Sequence, residues 1–166
     1  MTRIALIADT HGLLRPQALA FLAGSDHILH AGDIGGPEIL AQLAAIAPLD
    51  AVRGNNDQAP WARDLPLART VMLGGVAVHM VHDIADLRQA DLATRDTHVR
   101  VVVSGHSHKP AIAEQGGVLF VNPGSAGPRR FTLPISVGEL RIEGARVTPR
   151  LVTLEVPPSP SVRRRR

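Results

Sequence analysis

The stretch Ile4-Ala5-Leu6-Ile7-Ala8-Asp9-Thr10-His11-Gly12 opens the reading of this chain. Five apolar residues in a row, bounded at once by polar ones, suit a short buried β-strand. The same order returns at His27 to Ala31, closed by Gly32-Asp33, and at Leu49 to Arg53, closed by Gly54-Asn55-Asn56-Asp57. Between these runs lie two helical segments. Pro16 opens one, with Leu19, Phe21 and Leu22 on its apolar side and Gly24 as its stop. Pro37 opens the other, Glu38 to Ala47, which Pro48 ends. Strand, loop and helix repeating in this order predict parallel strands with helices on their faces. The third unit departs from the pattern, because Gln58 to Arg63 reads as an irregular excursion.

Further along the pattern changes to hairpins. Leu67–Leu73 and Val76–Val81 flank Gly74-Gly75, and Ala111–Gln115 and Val118–Val121 flank Gly116-Gly117. Ile135–Ile142 and Arg146–Leu154 flank Glu143-Gly144-Ala145. Between the first two hairpins, Ala85 to Thr94 reads as a helix and Val99 to Ser104 as a β-branched strand closed by Gly105-His106-Ser107-His108. Asn122 to Leu133 is a loop rich in Gly, Pro and Arg. Parallel units followed by hairpins predict two mixed sheets packed together between helices.

Composition narrows the function. Hydrophobic residues make up 45% of the 166, enough for a core, and aromatics only 2%, so that core is aliphatic. Scarce aromatics argue against a single-strand nucleic-acid binder, which stacks bases on such rings. The net charge is +3, and four arginines, Arg163 to Arg166, stand together at the end. The body is thus near neutral and gives little support for a nucleic-acid partner. There is no cysteine, which excludes disulfides and thiolate metal sites and leaves His, Asp, Glu or Asn to hold any metal. No apolar run approaches the ~20 residues that span a bilayer, and the start lacks a cleavable signal pattern. The expectation is a cytoplasmic domain over 1–156, with 157–166 a disordered Arg-rich tail.

The potential ligands stand at strand ends. Asp9 and His11 follow the first strand, Asp33 the second and Asn55 the third. His82 follows a later one, and His106 and His108 another. In an open α/β sheet the C-terminal strand ends share one edge, where ligands bind. Carboxylate, imidazole and amide oxygen suit divalent manganese, iron or zinc. Asp33, with two carboxylate oxygens, can bridge two ions, and an ion pair ~3.5–4 Å apart clamps a phosphoryl group and acidifies a bound water. Gly32, Gly54 and Gly105 would let the backbone turn tightly beneath these ligands. Taken singly, each motif is weak and reads first as a cap, a turn or a polar loop, with Gly105-His106-Ser107-His108 the strongest of them. Taken together, each directly after an apolar strand, they point to one centre.

The ordered set IADTHG, HAGDI, VRGNND, MVHD, SGHSH and NPGS resembles the calcineurin-like metallophosphoesterases, in particular their small bacterial and archaeal phosphodiesterases. The likeness runs from Met1 to about Leu154. It implies a four-layer α/β/β/α sandwich with two mixed sheets. It implies one metal on Asp9, His11, Asp33 and His108 and a second on Asp33, Asn55, His82 and His106, with manganese first and iron, zinc or nickel as alternatives. Asp33 is then the bridge beside an attacking hydroxide, the substrate is a small phosphodiester, and a homo-oligomer stays open.

Two departures stand out. Where many larger relatives carry a His after the ligand Asn, this chain has Asn56, which can donate a hydrogen bond but cannot act as a general acid near neutral pH. Asp33 and Asn56 are the candidate catalytic residues. Asp83 stands where the family often has Gly and adds negative charge. Of the neighbours, His79 is expected to face away from His82 along its strand, and His30 to support the ligands from behind. His27 and His98 are read as strand-edge or surface residues and Asp57 as a turn or cap. Asn122-Pro123-Gly124-Ser125 is either a turn or a loop that orients the histidines. Arg129 and Arg130 are either solvated or a phosphate fork. The rival function is a non-catalytic interaction scaffold, the role of the retromer subunit that shares the fold. A chain released from catalysis would lose ligands, and this one has lost none.

Overall fold

The computed structural model describes residues 1–158. The expectation of a tail past Val156 falls almost entirely on residues outside that range. Among the described residues ten strands form two five-stranded sheets. The first contains β1 (Thr2–Ile7), β2 (His27–His30), β3 (Leu49–Ala51), β9 (Ser136–Glu143) and β10 (Arg146–Thr153), in the order β10-β9-β1-β2-β3. The second contains β4 (Ala68–Leu73), β5 (Val76–Val81), β6 (Val99–Val103), β7 (Ala111–Gln115) and β8 (Val118–Asn122), in the order β4-β5-β6-β8-β7. β1, β2 and β3 run parallel, as do β5, β6 and β8, and the remaining pairs are antiparallel. Both sheets are therefore mixed, as the change from repeated units to hairpins implies.

Side-chain alternation sorts the core into layers. Ile4, Leu6, Ala8 and Leu29 of the first sheet face Val76, Val78, Met80, Val101 and Val103 of the second. The opposite face of the first sheet, with Ala5, Ile7 and Ile28, packs on α1 (Pro16–Leu22) through Ala18 and Leu22 and on α2 (Pro37–Ala44) through Ile39 and Leu43. Each of these fully buried large side chains contributes on the order of 1.5–3 kcal/mol. The fully buried large side chains are aliphatic, as the composition requires.

Two of the three hairpin turns sit where Gly-Gly pairs supply left-handed backbone: Gly74 and Gly75 have φ of 57° and 81°, Gly116 and Gly117 of 58° and 76°; the third has the single Gly144, φ 58°. α2 is shorter than its sequence pattern, ending at Ala44 rather than Ala47, because the residue before Pro48 is driven out of the helical region. The expected helix Ala85–Thr94 is corrected more substantially. A 3-10 turn, Ile84–Asp86, is capped by Asp83, whose Oδ1 accepts from Ala85 N at 3.0 Å. Leu87 is then extended, and only one helical turn follows, α3 (Gln89–Leu92). The segment meets the outer face of the second sheet through Leu87 and Leu92. Two anchors five residues apart do not share a helical stripe, so packing selects the broken form. The fourth layer is correspondingly thin.

Register positions the loops. β1 pairs with β2 at Ile7↔His30 and β2 with β3 at His30↔Ala51, so the three strands end level. In the second sheet Met80↔Val103 and Val103↔Val121 do the same. Two level edges at one end of the sandwich bring distant parts of the sequence into one centre.

Candidate metal centre

All seven expected ligand positions converge. His11 Nε2 lies 3.5 Å from His108 Nε2, and His108 Nε2 lies 3.5 Å from Asp9 Oδ1. Asn55 Oδ1 lies 3.0 Å from His82 Nε2 and 3.1 Å from His106 Nδ1. Asp33 Oδ2 spans the two groups, 3.7 Å from His11 Nε2 and 3.3 Å from His82 Nε2. Asp9 Oδ1 also spans them, since it is 3.9 Å from His82 Nε2. Two sets of donors close enough to share a cation result: Asp9, His11 and His108, and Asp9, Asp33 and His82.

The backbone is strained to achieve this. Asp9, His11, Asp33, His106 and His108 all have positive φ, between 46° and 69°. Such conformations cost about 1–3 kcal/mol each and persist where surrounding structure enforces them. Close glycines make the turns fit. A Cβ on Gly54 would lie 2.1 Å from Asp33 Oδ1, and one on Gly32 would lie 2.6 Å from His82 Nδ1.

Hydrogen bonds fix the ring orientations. His82 Nδ1 donates to the Ala31 carbonyl at 2.7 Å, which turns Nε2 toward Asn55 and Asp33, as a metal-binding imidazole requires. His30 is fully buried. Its Nδ1 accepts from Gly32 N, so Nε2 carries the hydrogen and donates to Thr10 Oγ1, which donates in turn to the Ile34 carbonyl. His30 thus braces the loops beneath the ligands. His79 faces away from the centre, with Nδ1 2.8 Å from Thr70 Oγ1. His27 is paired with Asp50 at 2.7 Å.

Charges in the centre oppose one another. Burial, reinforced by the Asp33 charge, pushes Asp9 up to about 7 despite the pull of His82. Burial acts against Asp33 too, but contact with His82 and hydrogen bonds from Asn56 outweigh it and hold the Asp33 carboxyl well below the usual range. His82 resists loss of its proton: burial disfavours the charge, yet Asp33, the Ala31 carbonyl and Asp9 outweigh it. Burial lowers His11. It lowers His108 to about 4, assisted by the charge of Arg130.

Four residues do more than their sequence reading conveys. Asp57, read as a turn residue, is 2% exposed, and its carboxylate accepts from Ile34 N, Gly35 N and Gly54 N at 2.9–3.1 Å. It ties the Asp33 loop to the Asn55 loop. Its spacing after Gly54 was visible in the sequence, but its partners lie 22 and 23 residues earlier. Asn122 Nδ2 donates to the Gly105 carbonyl at 2.9 Å and to Ser107 Oγ at 3.1 Å, and Ser125 Oγ donates to the Asp9 carbonyl at 3.0 Å. The Asn122–Ser125 loop therefore orients the histidine loop. Asn56 turns its amide inward, with Nδ2 3.0 Å from Asp33 Oδ2 and its backbone N 2.9 Å from Oδ1. Asp83 Oδ2 lies 3.5 Å from His106 Nε2. A cleft of about 540 Å³ opens beside the centre, lined in part by Asn55, His82, Asp83, His106, Leu67 and Val81.

The donors fit a metal by their own chemistry. Asp9 Oδ1 is buried, receives no hydrogen bond and faces imidazole nitrogens. A carboxylate oxygen left in that state needs a cation to offset its desolvation. An α/β sandwich with this donor set at its strand ends has the architecture of a metallophosphoesterase. The chain belongs to the calcineurin-like phosphoesterase superfamily, whose domain matches residues 2–145. A probable metallophosphoesterase of Methanothermobacter thermautotrophicus is 34% identical across 98% of this chain and 99% of its own length. Among solved structures, Vps29 of Chaetomium thermophilum superposes with a TM-score of 0.74 at 22% identity, over 95% of this chain and 100% of that one. A novel archaeal phosphodiesterase superposes with a TM-score of 0.70 at 22% identity, over 91% and 100%. These two likenesses carry the fold. Among the described residues no helix is long and apolar enough to cross a membrane.

Proposed function

We propose that this phosphoesterase is a phosphodiesterase with a dinuclear centre acting on a small diester. Convergence of the two donor sets on the orphaned Asp9 Oδ1 and on Asp33 Oδ2 carries the proposal. Asp9, His11, Asp33 and His108 would hold one divalent ion, and Asp33, Asn55, His82 and His106 the other; the oxygen and imidazole donors suit manganese, iron, zinc or nickel, with manganese the first to test. When bound, such a pair supplies Lewis acidity and an acidified water for attack at phosphorus.

The chain's own residues supply position. The Ala31 carbonyl fixes the His82 tautomer, and Asn56 holds Asp33 from backbone and side chain. The adjoining cleft has room for one ester arm, over an apolar floor of Leu67, Ala68 and Val81. No imidazole stands at position 56 to protonate a departing oxygen. The chemistry therefore favours diesters with good leaving groups over alkyl monoesters.

An interaction scaffold is supported only by likeness in fold. Of the exposed large apolar side chains, Met72 and Ile112 lie on β4 and β7, the opposite edges of the second sheet. The test is hydrolysis of bis(p-nitrophenyl) phosphate by chelator-stripped protein with and without Mn(II), beside Asp33→Asn. Activity that returns with metal and is lost in the variant supports the proposal. A metal-supplied protein inert on diesters and monoesters alike would replace it with the scaffold.

A further inference from the structure

Six non-glycine residues among those described have positive φ. Five are candidate ligands, and the sixth is Phe131, with φ 50°. A bulky side chain is rarely found there, and strain of this kind clusters at functional sites. Phe131 is also 92% exposed, the most exposed large apolar side chain described. It gains nothing from the core, and the residues around it in the chain, Pro128 to Thr132, are all exposed.

The base of this loop is pressed against the metal centre. Ala126 N donates to the Ala8 carbonyl at 3.1 Å, and Ser125 Oγ to the Asp9 carbonyl at 3.0 Å. A Cβ on Gly127 would lie 2.4 Å from the Asp9 carbonyl oxygen, so the two backbones are in close contact. Arg15 Nη2 bonds the Gly127 carbonyl from the other side at 3.2 Å. The tip closes in a turn, Leu133 N to the Arg130 carbonyl at 3.1 Å. The Arg130 charge is felt by Asp9, His11 and His108. The loop thus serves the Asp9–His11–His108 side, whereas the 540 Å³ cleft serves the Asn55–His82–His106 side. A diester has two ester arms, and the centre has two flanks.

We propose that Phe131 is a specificity-determining residue that stacks on a flat aromatic group carried by the ester arm opposite the cleft, with Arg130 beside it countering the charge of the diester. The proposal rests on the phosphodiesterase reading and deepens it. Among biological phosphodiesters the flat aromatic group is a nucleobase, so the substrate class is a small nucleoside phosphodiester. A polynucleotide strand would need successive aromatic platforms, and this loop has one.

The test uses Mn(II)-supplied full-length protein and two esters with the same leaving group, thymidine 5′-(p-nitrophenyl phosphate) and methyl p-nitrophenyl phosphate. Wild type prefers the nucleoside ester. Phe131→Ala loses roughly tenfold in kcat/KM on it, chiefly through KM, as removal of a base-stacking ring does. The methyl ester is unaffected, and Phe131→Trp restores the preference. Equal losses on both esters, or none on either, overturn the proposal. Calorimetric binding of thymidine 5′-monophosphate separates this from the hydrolase reading. Weaker binding by Phe131→Ala supports the platform even if neither ester is turned over, and equal affinity overturns it whatever the turnover.

Discussion

Replacing Asp57 with alanine tests how the centre is held together, because Asp57 joins two ligand loops without being a ligand. Its carboxylate accepts from Ile34 N, Gly35 N and Gly54 N at 2.9–3.1 Å, and the residue is 2% exposed. Removing it strands three amide donors in the space between the β2 and β3 loops. A buried donor left without a partner costs about 1–3 kcal/mol. Water entering at Gly35, the less buried of the three, relieves part of this, so the expected loss for Asp57→Ala is about 3–5 kcal/mol. Asp57→Asn keeps one acceptor oxygen and should lose about half as much. Urea unfolding of metal-free protein reads the effect without ligand linkage. With a slope of about 2 kcal/mol/M, the alanine variant's midpoint falls by roughly 1.5–2.5 M. Mn(II) affinity should weaken in the same variant, since Asp33 and Asn55 lose their common anchor. If Asp57→Ala unfolds within about 1 kcal/mol of wild type, the carboxylate is not what fixes these loops.

Protonation offers a second check. His30 is held neutral to about 3 by burial, while the unfolded chain takes up a proton near the ordinary value of 6.5. Above 6.5 the two states match. Below it only the unfolded state binds the proton, so burying this residue lowers stability progressively from pH 6.5 toward about 3. The His30 ring resonance should stay in its neutral position at about pH 5, and titration there would contradict the bond from Gly32 N. Metal binding should release protons, on the order of one per chain near pH 7, because Asp9 and His82 both hold theirs more firmly than usual. Calorimetry in two buffers of different ionisation enthalpy measures this, and heats independent of buffer would refute it. Asn56→His should raise turnover of poor leaving groups by about tenfold. It should also lower turnover of good ones, through loss of the bond to Asp33 Oδ2. Asn56→Ala should show only the loss.

The sequence by itself determined the strand order within each repeated unit, the three hairpins and the positions of the candidate ligands. Each of these rests on local physics: short apolar runs between polar loops, turn glycines free to adopt positive φ, and His, Asp and Asn placed directly after strands. The helix expected over Ala85–Thr94 was misread because local propensity favours it, whereas the outer face of the second sheet offers anchors only for Leu87 and Leu92. Tertiary structure alone decided what supports the centre. Asp57 looked like a turn residue until Ile34 and Gly35 came within reach, and Asn122 like a turn until the Gly105 carbonyl met it. It also decided that Asp9 shares the spanning position expected of Asp33, because where Asp9 Oδ1 and Asp33 Oδ2 point is set by packing between sheets rather than by either segment itself. Residue type and spacing set which donors a chain has. Register and sheet packing set which atoms of those donors face one another.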